Sequence, residues 1–313
     1  MLDPQARALL DLIRERGIPS THELSPAEAR KAYRDRRGYS QPAPPDVASV
    51  RDFPVPGPAG ALLLREYRPA GSAPGQALPA LVYFHGGGWV IGDLDTHDVL
   101  CRSLANGAGC AVYAVDYRMG PEHRFPAAVD DALAATRWIL ASAGALAIHP
   151  ARVAVGGDSA GGNLAAAVTL ALRDAGDALQ PAFQLLIYPA TDMRGTSASH
   201  HENGSGYLLT RDVIDYFQGH YLDATQYADW RASPLLAASH AGLPPALVLT
   251  AGFDPLRDEG LAYANALSAA GVPTQYVCFS RQIHGFILMG RIIDEANTAV
   301  RLCADVLRHH LSP

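Results

Sequence analysis

The feature that most constrains this fold is an alternation of short apolar runs with helical stretches, which begins near residue 60. The runs that predict strands are Ala61–Tyr67, Leu81–Phe84, Ala111–Val115, Arg152–Val155, Phe183–Tyr188, Ala246–Thr250 and Thr274–Phe279. The helical stretches between them include Asp130–Ala141, Gly161–Arg173 and Gly260–Ala270. Short apolar strands that alternate with helices predict an α/β protein whose mostly parallel sheet is covered by helices on both faces.

The first 45 residues lie outside this alternation and predict two short helices. The second begins at Ser25, where a capping box with Glu28 is combined with Pro26 at the first helical position. A proline-rich connector, Tyr39–Pro45, follows these helices.

Residues 191–230 also break the alternation. This segment is polar and rich in His, Asp and Tyr, and it carries helical signals around Thr210–Tyr221. An insertion of this kind above a sheet usually forms a cap. We therefore predict an α/β core made of residues 46–190 and 231–313, with N-terminal cap helices in residues 1–45 and an inserted cap segment in residues 191–230.

Composition excludes several classes of protein. The formal net charge is −6 and the hydrophobic fraction is 49%, which argues against a nucleic-acid partner and for a large buried core. The four cysteines form no C-x-x-C pair and no metal-ligand spacing, so we predict no metal and no cofactor.

No apolar run approaches the ~20 residues of a membrane span. The first residues do not resemble a signal peptide, and we expect a cytoplasmic protein.

Gly157-Asp158-Ser159-Ala160-Gly161 matches the pattern G-x-S-x-G. A predicted strand runs into it and an alanine-rich helix runs out, which is the context of a nucleophile elbow. The turn must expose the Ser159 hydroxyl and leaves no room for side chains beside it, so glycines are needed at both flanks. The pattern predicts that Ser159 is a nucleophile; the alternative is a tight turn with a capping serine.

A second glycine-rich loop, His85-Gly86-Gly87-Gly88-Trp89, directly follows the strand Leu81–Phe84. Consecutive glycines allow backbone amides to point at the oxyanion of an acyl-transfer intermediate. We assign this role to the amides of Gly86 and Gly87, together with Ala160. We expect His85 to hold the loop by a backbone hydrogen bond. A phosphate-binding loop would also need a lysine, which is absent here.

The general base and its acid are expected after the nucleophile, in the order Ser, acid, His. Asp254 follows the apolar strand Ala246–Thr250, at the strand end where such sheets keep their chemistry. Asp258 and Glu259 begin the next helix, where acidic residues stabilise the helix dipole. His284 lies in a loop after the last predicted strand. We therefore predict a triad of Ser159, His284 and Asp254.

Several motifs in this order resemble those of the bacterial hormone-sensitive-lipase-like esterases, from about residue 30 to the C-terminus. The motifs are HGGGW at 85–89, YR at 117–118, PEH at 121–123, FPAA at 125–128, GDSAGGN at 157–163, DPLRDE at 254–259 and HGF at 284–286. Two positions depart from the family pattern. Met119-Gly120 replaces a leucine-alanine pair, and Gly252, which stands where many relatives have a bulkier residue, is expected to enlarge a pocket wall.

The resemblance implies an α/β-hydrolase core with a helical cap, the same triad and oxyanion hole, and the activity of a carboxylesterase. It implies short- to medium-chain acyl esters, roughly C2 to C8 by analogy with the family, rather than long triglycerides. It also implies a homodimer. The candidate residues for the wall of the substrate pocket are Trp89, Tyr188, Tyr207, Leu208, Phe217 and Ile287, and for each of them ordinary packing in the core is the alternative.

Two other functions remain open at this point. Some relatives of this fold bind small molecules without hydrolysing them, although they usually lose a triad residue. An amidase or peptidase is also open, because the same triad can cleave amides.

Overall fold

The computed structural model describes residues 1–312, and the strands in that range form a single sheet. The strands are β1 (Ser49–Gly57), β2 (Gly60–Arg68), β3 (Leu78–Phe84), β4 (Ala111–Asp116), β5 (Ile148–Asp158), β6 (Phe183–Ile187), β7 (Ala246–Phe253) and β8 (Thr274–Ile283). Their order across the sheet is β1-β2-β4-β3-β5-β6-β7-β8. The β1–β2 and β2–β4 pairs are antiparallel, and the others are parallel. The predicted mostly parallel sheet is confirmed.

The helices connect the strands and cover the sheet. They are α1 (Pro4–Glu15), α2 (Pro26–Ser40), α3 (Asp98–Ala108), α4 (Ala127–Ala141), α5 (Ala160–Ala175), α6 (Ala198–Glu202), α7 (Arg211–Tyr221), α8 (Arg257–Ala269) and α9 (Asp294–Leu311). Helix α2 begins where the capping box predicts. The Glu28 carboxylate accepts the Ser25 backbone amide at 2.9 Å, and the Ser25 hydroxyl accepts the Glu28 amide at 3.4 Å.

The central strands are buried on both faces, because successive side chains of a strand point to opposite sides. In β3, Val82 and Phe84 enter the core on the side of α4, α5 and α8, whereas Leu81 and Tyr83 enter the core on the side of α3 and α9. Helices therefore cover both faces of the sheet, as the apolar runs predict.

Strand β1 carried no sequence signal strong enough to predict it. It lies at the edge of the sheet, pairs only with β2, and of its residues only Val55 is buried. Pro54 and Pro56 interrupt the apolar alternation, and such residues are tolerated at a sheet edge because one side of the strand needs no hydrogen bonds.

The N-terminal helices are tied to the core by a few polar contacts. Arg30 of α2 donates to the backbone oxygens of Val90 and Gly120, each at 2.8 Å, and pairs with Glu122 at 2.6 Å. The 3₁₀ turn Thr21–Glu23 packs against α7. Among residues 1–312, none of the helices combines the length and the apolar composition that crossing a bilayer requires.

Candidate active site

The sequence-predicted residues meet at the carboxyl edge of the parallel strands. Ser159 directly follows β5, Asp254 follows β7, His284 follows β8, and the glycine-rich loop follows β3. Since neighbouring parallel strands end at the same edge, residues far apart in the chain are brought together there.

The Ser159 turn is as tight as its glycine pattern predicts. Ser159 has φ +57°, in the region that side chains rarely adopt, and its amide donates to the Ile187 oxygen at 2.8 Å. A Cβ atom added at Gly157 or Gly161 would overlap the backbone oxygen of Phe84. The sharp turn therefore requires glycine at both flanks, and it leaves the serine at the N-terminus of α5.

Ser159, His284 and Asp254 form a connected chain of hydrogen bonds. His284 Nε2 lies 2.9 Å from Ser159 Oγ, and His284 Nδ1 lies 2.7 Å from Asp254 Oδ2. The other carboxylate oxygen of Asp254 accepts the Leu256 amide at 2.8 Å, and the Asn203 side chain donates to the Asp254 backbone oxygen at 3.2 Å. Asp254 is fully buried, so its orientation toward the imidazole is fixed on both sides.

The glycine-rich loop differs from its predicted arrangement at Gly86. The Gly86 amide donates to Asp158 Oδ1 at 3.0 Å and lies 3.3 Å from His97 Nε2, so it cannot also hold an oxyanion, and its assignment is wrong. The amides of Gly87, Gly88 and Ala160 have no acceptor among residues 1–312. All three residues line one cavity together with Ser159.

His85 contacts the loop through its ring, as expected. Its Nδ1 lies 2.9 Å from the Gly86 backbone oxygen, and its ring stacks on Tyr117 with the centroids 4.3 Å apart. Burial is the main cause that lowers the pKa of His85 to about 4, and repulsion by neighbouring His97 is the second. The ring is therefore neutral at pH 7 and acts as a fixed part of the loop.

Asp158 anchors the loop from below. Its carboxylate is buried and accepts the Tyr83 hydroxyl at 2.7 Å as well as the Gly86 amide, and His97 Nε2 lies 3.2 Å away. Burial by itself would raise the pKa of Asp158, but His97 and Tyr83 favour the ionised form, and the pKa is lowered overall. An ionised carboxylate next to the nucleophile thus orients the first glycine of the loop.

Ser159 lines a cavity of about 290 Å³. Its wall is mostly apolar and includes residues from both segments that flank or interrupt the core: Leu9, Leu12, Ile13 and Tyr33 from the N-terminal helices, and Leu208, Leu209, Val213 and Phe217 from the inserted segment. In the described part of the chain, no cluster of His, Cys, Asp and Glu side chains suits a metal ion.

Of the six residues expected to line the pocket, three do. Trp89, Leu208 and Phe217 line the cavity. Tyr188 and Ile287 are buried outside it, where Tyr188 lies 4.6 Å from the His284 ring, and Tyr207 packs on Phe253 at 5.2 Å. For these three residues the alternative of core packing agrees with the structure, because apolar residues near a site serve equally well to pack the side chains behind it.

Gly252 does not enlarge the pocket, contrary to expectation. It does not line the cavity, and a Cβ atom at this position would overlap the backbone of Ser280 in β8. The glycine allows β7 and β8 to approach each other at the point where the register between them shifts. Its role is therefore in the sheet.

The contribution of the first 40 residues to the cavity wall could not be assigned residue by residue from the sequence. Leu9 and Ile13 recur at near-helical spacing, but such a spacing predicts packing of any kind. Tyr33 and Arg36, which also line the cavity, carried no motif that separates them from an ordinary helix surface.

Comparison with known proteins gives consistent matches over the whole chain. A family profile described as alpha/beta hydrolase fold matches residues 81–288. The carboxylic ester hydrolase LipN of Mycobacterium tuberculosis is 43% identical over 99% of this chain and 84% of its own length. The ethyl acetate hydrolase of Pseudomonas putida is 39% identical over 99% of both chains.

Solved structures give the same picture. An ester hydrolase from the metagenome of Lake Arreo, in complex with a derivative of bipyridine phosphonate, is 47% identical with a TM-score of 0.96, over 100% of both chains. The hyperthermophilic esterase of Pyrobaculum calidifontis is 37% identical with a TM-score of 0.90, over 98% of both chains.

Proposed function

The chain belongs to the hormone-sensitive-lipase-like family of the α/β-hydrolase fold and is a carboxylic ester hydrolase, and from this premise we propose that it hydrolyses short- to medium-chain acyl esters with Ser159 as nucleophile. The observation that carries the proposal is the hydrogen-bonded chain from Ser159 through His284 to Asp254. It opens into the same cavity as three backbone amides that have no acceptor in the described residues.

In the proposed first step, His284 Nε2 takes the proton of the Ser159 hydroxyl as Oγ attacks the ester carbonyl. The carbonyl oxygen becomes an oxyanion, which the amides of Gly87, Gly88 and Ala160 receive. Donors aimed at an oxyanion are worth ~3–4 kcal/mol each in other enzymes, and the N-terminus of α5 favours the same negative charge.

In the second step His284 gives its proton to the leaving alcohol, and the acyl group stays on Ser159 as an ester. Water then repeats the sequence: His284 takes a proton from water, the hydroxide attacks the acyl-enzyme, and Ser159 recovers its proton as the acid leaves. The carboxylate of Asp254 keeps the proton of His284 on Nδ1, so that Nε2 is free to accept from Ser159.

The preference for short and medium acyl chains is supported by the cavity. Its volume of about 290 Å³ lies just below the usual range for ligand pockets, ~300–1,000 Å³. We propose that residues 1–45 and 191–230 act as the cap that closes it, since both segments contribute to its wall.

The experiment is a series of p-nitrophenyl esters from acetate to palmitate, assayed with the wild-type protein and with Ser159→Ala. We expect kcat/KM to peak at short to medium chains and to vanish in the variant. A matched p-nitroanilide tests amide cleavage. If folded wild-type protein hydrolyses none of the esters, the proposal fails and a binding function becomes the better interpretation.

Two finer expectations remain proposals. The four cysteines are free, which supports a reducing compartment such as the cytoplasm. A homodimer stays a prediction from the family, and light scattering coupled to gel filtration tests it.

A further inference from the structure

Helix α2 carries one cation that differs from its neighbours. Arg36 has no carboxylate within ion-pair distance among residues 1–312. The other basic side chains of the helix are occupied: Arg30 by Glu122, Lys31 by Asp35, Arg34 by Asp93, and Arg37 by the backbone oxygen of Asp95. Arg36 and Arg37 are therefore the two cations of α2 without a carboxylate partner in the described residues, and both line the cavity, but Arg37 already donates to the Asp95 backbone oxygen.

Arg36 is held beside the catalytic loop by an aromatic contact. Its guanidinium carbon lies 4.4 Å from the centroid of the Tyr33 ring, a cation–π distance. The Tyr33 ring lies 6.4 Å from the His97 ring, whose Nε2 is 3.3 Å from the Gly86 amide. Arg36 is thus connected, through the rings of Tyr33 and His97, to the glycine-rich loop at Gly86.

The accessible surface of Arg36 is part of the cavity wall. The residue is exposed, yet surrounding atoms are dense enough that burial lowers the pKa of its guanidinium. Arg36 also lines the cavity that contains Ser159. A guanidinium remains protonated at neutral pH after such a shift, so the cavity carries a positive charge on its wall.

None of the described acidic residues of this wall pairs with Arg36, because each is hydrogen-bonded to another group. These pairs are Asp158 with Tyr83 and His97, Asp192 with Arg194 at 2.7 Å, and Glu259 with His200 at 2.7 Å. The remaining wall is largely apolar. A cation that faces an apolar cavity without a counter-ion gains most from an anionic ligand, and a guanidinium suits a carboxylate because it can donate two parallel hydrogen bonds.

We propose that Arg36 binds a carboxylate on the substrate, so that the preferred substrates are esters that carry a free carboxylate in addition to the scissile bond. Monoesters of dicarboxylic acids and acetoxy-substituted carboxylic acids are the two simple arrangements. The inference rests on the proposed hydrolysis at Ser159. It makes Arg36 a specificity-determining residue for that reaction.

The test compares charged and neutral esters of equal length. Monomethyl and dimethyl esters of the diacids from succinate to suberate, together with acetoxy acids and their methyl esters, are assayed at low salt. Wild-type protein should have a higher kcat/KM for the charged member at one or more lengths. Arg36→Gln should lower kcat/KM for that member by about tenfold, the scale of one charged hydrogen-bonded contact. The change for the neutral member should be much smaller, so that the ratio of charged to neutral kcat/KM falls.

Three controls test whether the preference depends on the position, the shape and the charge of the Arg36 side chain. Arg34→Gln removes the same charge from the same helix at a residue that pairs with Asp93, and it should leave the preference unchanged. Arg36→Lys keeps the charge but not the planar fork and should retain part of the preference. Raising the salt concentration should reduce the preference, because salt screens the attraction.

The outcomes separate this inference from the proposed function. Hydrolysis of neutral esters with no preference that depends on Arg36, in both series, overturns the inference and leaves the proposed function intact. If no ester is hydrolysed, the proposed function fails, and calorimetry of monomethyl adipate binding to Ser159→Ala decides the role of Arg36. Binding that is equal with and without Arg36→Gln overturns the inference there too.

Discussion

Replacement of Asp254 by asparagine should reduce kcat sharply although the two side chains have the same shape. In the wild type, Oδ1 of Asp254 accepts the Leu256 amide at 2.8 Å and Oδ2 accepts from His284 Nδ1 at 2.7 Å. An asparagine that keeps its oxygen toward Leu256 must turn its NH₂ group toward His284. His284 Nδ1 then has to accept, the ring proton moves to Nε2, and Nε2 can no longer take the proton of Ser159.

The size of the decrease in kcat follows from two free-energy costs in the variant. Turning the amide so that its oxygen faces His284 sets two donors against each other at Leu256 and costs ~1–3 kcal/mol in a buried site. The loss of the carboxylate charge beside the imidazolium costs a further ~1.5–3 kcal/mol. Together they predict a decrease in kcat of roughly 10²- to 10⁴-fold. The loss of about 10⁴-fold for the equivalent change in a serine protease is at the upper end of this range.

The assay is steady-state hydrolysis of p-nitrophenyl butyrate. KM should change little, because Asp254 does not line the cavity, so the loss should fall on kcat. Asp258→Asn is the matched control: Asp258 is bonded to Arg257 at 2.7 Å and to the Ser199 amide at 2.9 Å, and kcat should be largely retained. A folded Asp254→Asn variant that loses less than about tenfold in kcat would refute the tautomer argument.

Three further changes test the loop, the pH response and the sheet. Gly88→Ala places a methyl group into the Phe217 ring at φ +58°, so kcat should fall about 10²-fold, whereas Gly17→Ala, at φ +59° with no neighbour within 4 Å, should leave it unchanged. Because the pKa of His85 is lowered from 6.5 to about 4, the unfolded chain binds the extra proton first on acidification. The free energy of unfolding should therefore lose about 3 kcal/mol between pH 6.5 and 4, and in urea unfolding His85→Gln should flatten this slope. Gly252→Ala should lower the free energy of unfolding by about 1–3 kcal/mol and leave the acyl-chain profile unchanged.

The sheet, and the meeting of Ser159, Asp254 and His284 at its carboxyl edge, could be predicted because both depend on strong local patterns. The central strands are apolar on both faces, and Ser159 and Asp254 directly follow two of them, whereas His284 follows β8 at the edge of the sheet. The parallel arrangement then brings the ends of these strands to one edge, without any information about individual contacts.

The Gly86 amide was wrongly predicted to belong to the oxyanion hole because the partner of a backbone amide depends on residues distant in the sequence. Gly86 donates to Asp158, which is 72 positions away, and lies near His97. In the sequence all three glycines offer similar amides, and only the packed structure shows which one is occupied. The sequence signal that could have helped is Asp158 itself, a carboxylate beside the nucleophile that must find donors once it is buried.

The cavity wall was the least predictable part of the site. Tyr188 and Trp89 are both buried aromatic residues with positive φ that follow strands closely, yet only Trp89 lines the cavity. Trp89 stacks on Tyr221 of α7, whereas Tyr188 packs beside His284 and Phe286. No local pattern specifies such long-range contacts, or the packing that places Arg36 in the cavity wall.

The most direct test of Ser159 as the nucleophile is to locate the covalent bond that the reaction forms. A p-nitrophenyl alkylphosphonate is attacked like an ester, but its adduct is not hydrolysed at a comparable rate. We expect release of p-nitrophenol equal to the amount of protein, complete loss of esterase activity, and a phosphonate adduct on the peptide that contains Ser159 by mass spectrometry. Full inactivation with the adduct on another residue, or esterase activity that persists in Ser159→Ala, would contradict the assignment of Ser159 as the nucleophile.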